Sequence, residues 1–125
     1  MKFTLESPLV TTIRSVSDTE ILIGARSYST PVALTASGVL DDWTATPVAT
    51  LGVDDLSALL ATGPELIVVG TGSKQILPRR ELMFAMARKG VGLEVMDTRA
   101  AARTFNVLIN EGRSVAAILY LGSAT

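Results

Sequence analysis

From Glu65 to Leu121 the chain alternates short apolar runs with amphipathic stretches. Glu65-Leu66-Ile67-Val68-Val69 is apolar and rich in branched residues. Because it lacks polar alternation, it predicts a strand buried on both faces, as in a parallel sheet. Gly70-Thr71-Gly72-Ser73 follows as a turn. A helix is predicted from Pro78, which suits a first turn because it has no N–H to lose. The helix runs to about Lys89, and Gly90 is a natural left-handed stop. Residues Leu82 to Ala87 are apolar nearly all round, which predicts a helix that is sandwiched or covered by a partner. Val91 to Met96 reads as the next strand, and Asp97 or Thr98 as the cap of a second long helix. On that helix Ala101, Phe105, Leu108 and Ile109 share one face, with Arg99, Arg103, Asn106 and Asn110 opposite. Glu111-Gly112-Arg113 turns the chain into a last strand from Val115 to Leu121, with a local ion pair expected between Glu111 and Arg113. Two successive strand–loop–helix units imply right-handed crossovers and a sheet that is parallel in part.

The first fifty residues carry shorter signals. They read as irregular β structure: Ile13 to Val16 is a short apolar stretch, and Glu20 to Gly24 and Pro31 to Thr35 are strand candidates, the last with a proline suited to a strand start or edge. Ala36-Ser37-Gly38 turns the chain into Val39-Leu40, while Tyr28 and Trp43 are large anchors whose polar tips need partners if buried. Gly52 to Thr62 reads as a short helix capped by Asp54 or Asp55, with Leu56, Leu59 and Leu60 on one face. Gly63-Pro64 ends it.

With 125 residues the chain fits one domain, taken as residues 1–125. Hydrophobic residues make up 48% and charged residues 18%, which makes the chain globular and points to a hidden apolar surface that meets a partner. A net charge of −1 gives no strong electrostatic pull toward nucleic acid or anionic lipid. The chain has no Cys and no His. Disulfides, thiolate chemistry, imidazole ligands and the usual general base are therefore excluded. Residues Met1 to Val10 place a Glu and a Pro in a very short apolar region and do not read as a signal peptide. No run of about 18 apolar residues is present to span a membrane. The expected location is the cytoplasm, and no cofactor or metal is expected.

The segment Glu94-Val95-Met96-Asp97-Thr98-Arg99 through Arg103-Thr104-Phe105-Asn106 to Leu119 resembles the signature of the domain-of-unknown-function four-nine-eight family. Weaker matches are Ile13-Arg14, Tyr28, Trp43 and Val69-Gly70-Thr71-Gly72. The family includes methanogen hypothetical proteins, an adipogenesis-associated animal protein and a mitochondrial assembly factor for respiratory complex I. The resemblance implies a three-layer α/β fold. In it a central mixed sheet of about five strands is flanked by helices, with a small N-terminal β addition and a last strand antiparallel to its neighbours. It also implies a non-catalytic, protein-binding or assembly role with a protein partner. The family pattern commonly has Cys where this chain has Ala102, and Tyr where it has Phe105.

Several residues are candidates for binding. The glycines of Gly70-Thr71-Gly72-Ser73-Lys74 would let backbone N–H groups approach an anion. The Walker spacing is absent, however, and Gln75 stands where a dinucleotide fingerprint needs a third glycine. Asp97 and Thr98 would open at the same sheet edge, where ligands of open α/β sheets bind, though capping explains both. Arg103 and Asn106 mark either a solvated helix face or, with the apolar helix 79–89, a partner surface. That apolar helix also admits a dimer. The alternative to a binding module is a small-molecule or anion-binding protein or enzyme using the Gly70–Ser73 and Asp97–Thr98 edge. Its acid or base would be Asp97, Glu111, Lys74 or Tyr28. The adjacent pairs Asp41-Asp42 and Asp54-Asp55 are not spaced for shared acid–base work or metal capture.

Overall fold

The structure, a computed structural model, describes residues 12–122; the segment read as no signal peptide lies outside them. Eight strands and three α-helices follow in order. They are β1 Ile13–Val16, β2 Ile21–Ile23, β3 Arg26–Tyr28, β4 Val32–Thr35, β5 Gly38–Val39, α1 Ser57–Leu60, β6 Leu66–Thr71, α2 Arg80–Lys89, β7 Gly92–Met96, α3 Thr98–Asn110 and β8 Val115–Tyr120. The strands make a three-stranded sheet, β1-β2-β3, and a five-stranded sheet ordered β5-β4-β8-β6-β7.

The unbroken apolar runs sit where burial on both faces demands them. β6 and β8 lie side by side in the middle of the larger sheet, and every residue of β8 is buried. Val68, Val115, Ala117 and Leu119 face a core shared with Ala101, Ala102, Phe105 and Ile109 of α3 and with Ile13, Ile21 and Ile23 of the small sheet. Ile67, Val69, Ala116, Ile118 and Tyr120 face the other core, with Leu56, Leu59, Leu82 and Met86. The result is three layers: α1 and α2, the mixed sheet, then α3 with the small sheet. The opposite placement of α2 and α3 follows from the path. The chain steps from β6 to β7 in one direction and then back past β6 to β8. Two right-handed crossovers taken in opposite directions put their helices on opposite faces.

Four expectations are corrected. The last strand is not antiparallel to both neighbours: β8 runs parallel to β6 and antiparallel to β4. The helix expected over 52–62 is a 3-10 turn at Val53–Leu56 followed by the single α-turn of α1. Asp55 holds its entry by accepting the Gly52 N–H at 2.8 Å. Pro78 precedes α2 rather than opening it, and the N-cap is Arg79. Arg113 pairs with Glu65 at 2.6 Å and not with Glu111. That contact bridges the loops leading into β6 and β8, and its hydrogen bond lowers the Glu65 carboxyl pKa below the ordinary value.

The polar side of α3 is not uniform. Arg99, Arg103 and Asn110 are exposed, but Asn106 is half-buried and reaches β1. Its amide accepts the Ile13 N–H at 3.0 Å and donates to the Ile13 carbonyl at 2.8 Å. The side chain thereby does for the edge of β1 what a neighbouring strand would do. Each bond is worth about 1 kcal/mol. Asn106→Ala should therefore destabilise by about 2 kcal/mol and speed amide exchange at Ile13. Equilibrium urea unfolding with hydrogen exchange checks this, and an unchanged Ile13 rate would show that β1 is held by other contacts.

Candidate functional site

Because β6, β7 and β8 are mutually parallel, their carboxyl ends share one rim. The register pairs Val69 with Val95 and Gly70 with Met96, and Gly70 with Leu119. The Gly70–Ser73 turn and the Asp97–Thr98 cap therefore open side by side. β6 feeds a helix on one face and β7 a helix on the other, which in open α/β sheets leaves a crevice for ligands between the two strand ends.

Here the chain fills that crevice itself. Thr98, only 1% exposed, accepts the Gly72 N–H and donates to the Tyr120 carbonyl through its hydroxyl, both at 2.7 Å. Its own N–H donates to the Gly72 carbonyl at 2.9 Å. Thr71 is fully buried; its hydroxyl donates to the Lys74 carbonyl at 2.6 Å and accepts the Ile76 N–H at 3.0 Å. Gln75 closes the outer side by donating to the Val95 carbonyl at 2.8 Å. The Asp97 carboxylate accepts the Ala100 N–H at 2.9 Å, as a helix cap does. The Gly72 N–H that an anion would need is thus committed inside the fold.

Gly70 has a different use from the one its turn suggests. A Cβ built on it would lie 2.8 Å from the Thr98 Cα and 2.9 Å from the Ala101 Cβ. The glycine lets α3 press onto β6. What remains at the rim is a cleft of about 70 Å³ among Ser17, Asp18, Ser73, Asp97, Arg99 and Tyr120. Burial pushes the Tyr120 phenol up to about 12, with Asp55 adding to the shift, and its hydroxyl donates to the Thr46 carbonyl at 2.6 Å. It is a neutral structural donor at physiological pH.

The groups considered for acid–base chemistry do not all converge. Asp97 and Glu111 cap opposite ends of the thirteen-residue α3, about 20 Å apart at 1.5 Å per residue. Lys74 lies in the loop after β6, and Tyr28 ends β3 with the Arg26 guanidinium 5.5 Å from its ring centre. Among the described residues no group of three or more Asp or Glu side chains is placed to hold a metal ion.

Arg103 and Asn106 lie outside the rim cleft but next to it. They line a groove of about 180 Å³ between β1 and α3, together with Arg14, Ser15, Arg99 and Ala102. Val16 and Arg99 line both spaces. Sequence reading separated Arg14 from the other arginines by more than eighty residues and attached no site to it. The signal available was a short edge strand carrying an arginine, which is common and unspecific. The partner surface imagined from Arg103, Asn106 and helix 79–89 is divided, because α2 and α3 cover opposite faces of the sheet.

The described fold coincides with one family model, described as a protein of unknown function (DUF498/DUF598), which matches residues 13–120. The chain belongs to this family. It is 34% identical over 104 residues to the "13 kDa major membrane protein" of Francisella tularensis, covering 78% of this chain and 80% of that one. It is 32% identical over 116 residues to the bovine NADH dehydrogenase [ubiquinone] 1 alpha subcomplex assembly factor 3. That match takes in 91% of this chain but 62% of the bovine protein, so the chain spans less than two thirds of that relative. Among solved structures, a Bordetella pertussis protein described as a Mth938-like domain superposes with a TM-score of 0.78 at 28% identity, covering 99% of this chain and 95% of the other. Among the described residues no helix of this DUF498/DUF598 member is long and apolar enough to cross a membrane.

Proposed function

We propose that this DUF498/DUF598 chain is a non-catalytic protein-binding module with an assembly-type role, acting in the cytoplasm. The carrying observation is the outer face of α2 and the loop before it. Leu77 is 71% exposed, Phe84 55% and Met83 37%, although Leu82 and Met86 on the same helix are buried in the core. Large apolar side chains left in water beside a complete core are the usual mark of a contact surface. The similarity to the bovine assembly factor supports the same role. The incomplete convergence of the acid–base groups and the internal use of the rim's donors favour binding over catalysis.

The test is affinity purification of tagged chain at native level, beside the double variant Leu77→Ser, Phe84→Ser. The parent should recover a stable protein partner. The variant should lose it while keeping the parent's melting temperature, since neither side chain supports the core. A parent that repeatedly returns no partner, or a variant that retains it, ends the reading. If the parent forms a concentration-dependent dimer by light scattering that the variant lacks, the face is a self-association surface instead.

A further inference from the structure

The groove between β1 and α3 gathers positive charge that the fold does not neutralise. Arg14 comes from β1, Arg99 and Arg103 from α3, and all three line one space of about 180 Å³ with Ser15. All three are exposed. Among the described residues the ion pair present is Arg113–Glu65, so none of the three guanidinium groups has a carboxylate within 4 Å. Asp18 and Asp97 line the neighbouring rim cleft together with Arg99.

Two features show that the grouping is built. First, β1 carries an irregularity at Arg14: Ile13 pairs with Ile23 and Ser15 with Leu22, so Arg14 has no residue opposite it. A bulge of this kind re-aims a side chain, and here it brings Arg14 to the groove that the α3 arginines line. Second, Asn106 fixes the spacing of the two walls through its paired bonds to Ile13. The arginines are thus held on two separately anchored elements. Like charges so placed repel one another, and a bound anion would relieve that repulsion.

The geometry points to a binding site for a phosphate group. A carboxylate offers two oxygens in one plane and suits a single guanidinium fork. A tetrahedral phosphate offers oxygens in several directions and can meet forks from both walls at once. The Ser15 hydroxyl supplies a further donor type. The phosphate could belong to a soluble phosphate ester or to the headgroup of an anionic lipid. The site lies on the α3 face of the sheet, away from Leu77 and Phe84, and stands or falls independently of the partner surface proposed above.

The test uses the full chain with inorganic phosphate, and in a second arm phosphatidylcholine vesicles with and without phosphatidic acid. Backbone amide shifts should saturate with phosphate and concentrate in residues 13–16 and 99–106. The double variant Arg14→Gln, Arg103→Gln should weaken binding by at least about tenfold, while Arg88→Gln on α2 should leave it unchanged. Cosedimentation only with phosphatidic acid vesicles, lost in the same double variant, would identify a lipid source. Phosphate saturation without vesicle binding would identify a soluble one. Failure of both arms, shifts spread over all basic residues, or a double variant that binds like the parent overturns the site.

Discussion

Gly70→Ala should be the most damaging single methyl that can be added to this protein. The new Cβ would sit 2.8 Å from the Thr98 Cα and 2.9 Å from both the Thr98 Oγ1 and the Ala101 Cβ. A flexible side-chain end could swing away from such a contact, but a helix backbone cannot. α3 would have to rise off β6, opening the core that holds Phe105 and Ala101 and stretching the Thr98 bonds at its first turn. Overpacking of this kind costs about 1–3 kcal/mol and more where backbone must move. We expect about 3 kcal/mol, a fall of roughly 10 °C in melting temperature for a domain of this size. The double variant Gly70→Ala, Ala101→Gly should recover part of the loss, because one of the two clashing carbons is gone. Calorimetry of the four members of that cycle decides it. A single variant within about 0.5 kcal/mol of the parent would mean that helix and strand are not in close contact at Gly70.

The C-terminal half was legible because its signals are local. The unbroken run of β6 required burial on both faces, Val115 to Leu121 read as a strand, and the period of α3 placed Ala101, Phe105 and Ile109 on the core side. Gly90 closes α2 in the left-handed conformation at φ 71°, as its position implied. What failed to show depends on contacts distant along the chain. The direction of β8 relative to its neighbours follows from strand order, which no stretch of sequence states. Strand β3, Arg26-Ser27-Tyr28, is too short and too polar to announce itself, and is held by pairing with β2. Asn106 sits on the polar side of its helix, yet its partner is Ile13, 93 residues earlier. The same distance hid the groove, since Arg14 meets Arg99 and Arg103 only after β1 docks on α3. At the rim the sequence correctly brought Gly70, Thr71, Gly72, Asp97 and Thr98 together. It could not show that their donors bond one another, because a buried hydroxyl and an exposed one are written with the same letter.

That shared use of one hydroxyl sets the second large effect. Thr98→Val keeps the shape of the side chain and removes its oxygen, leaving the Gly72 N–H and the Tyr120 carbonyl without the partner each now has at 2.7 Å. The site is buried, so water does not readily replace the lost atom. An unsatisfied buried backbone group costs about 1–3 kcal/mol, and two of them give an expected loss of about 3 kcal/mol. Thr98→Ser separates this cause from packing. It keeps the oxygen and gives up one buried methyl, worth about 1 kcal/mol. The ranking parent, Ser, Val in urea midpoint, with exchange of the Gly72 amide accelerated only in the Val variant, is the expected pattern. If Val and Ser instead lose stability equally, the hydroxyl is not the tie between the ends of β6 and β8. The close of the crevice would then rest on the fit of α3 against Gly70 and on backbone bonds such as Thr98 N–H to the Gly72 carbonyl and Ser73 N–H to the Gly122 carbonyl.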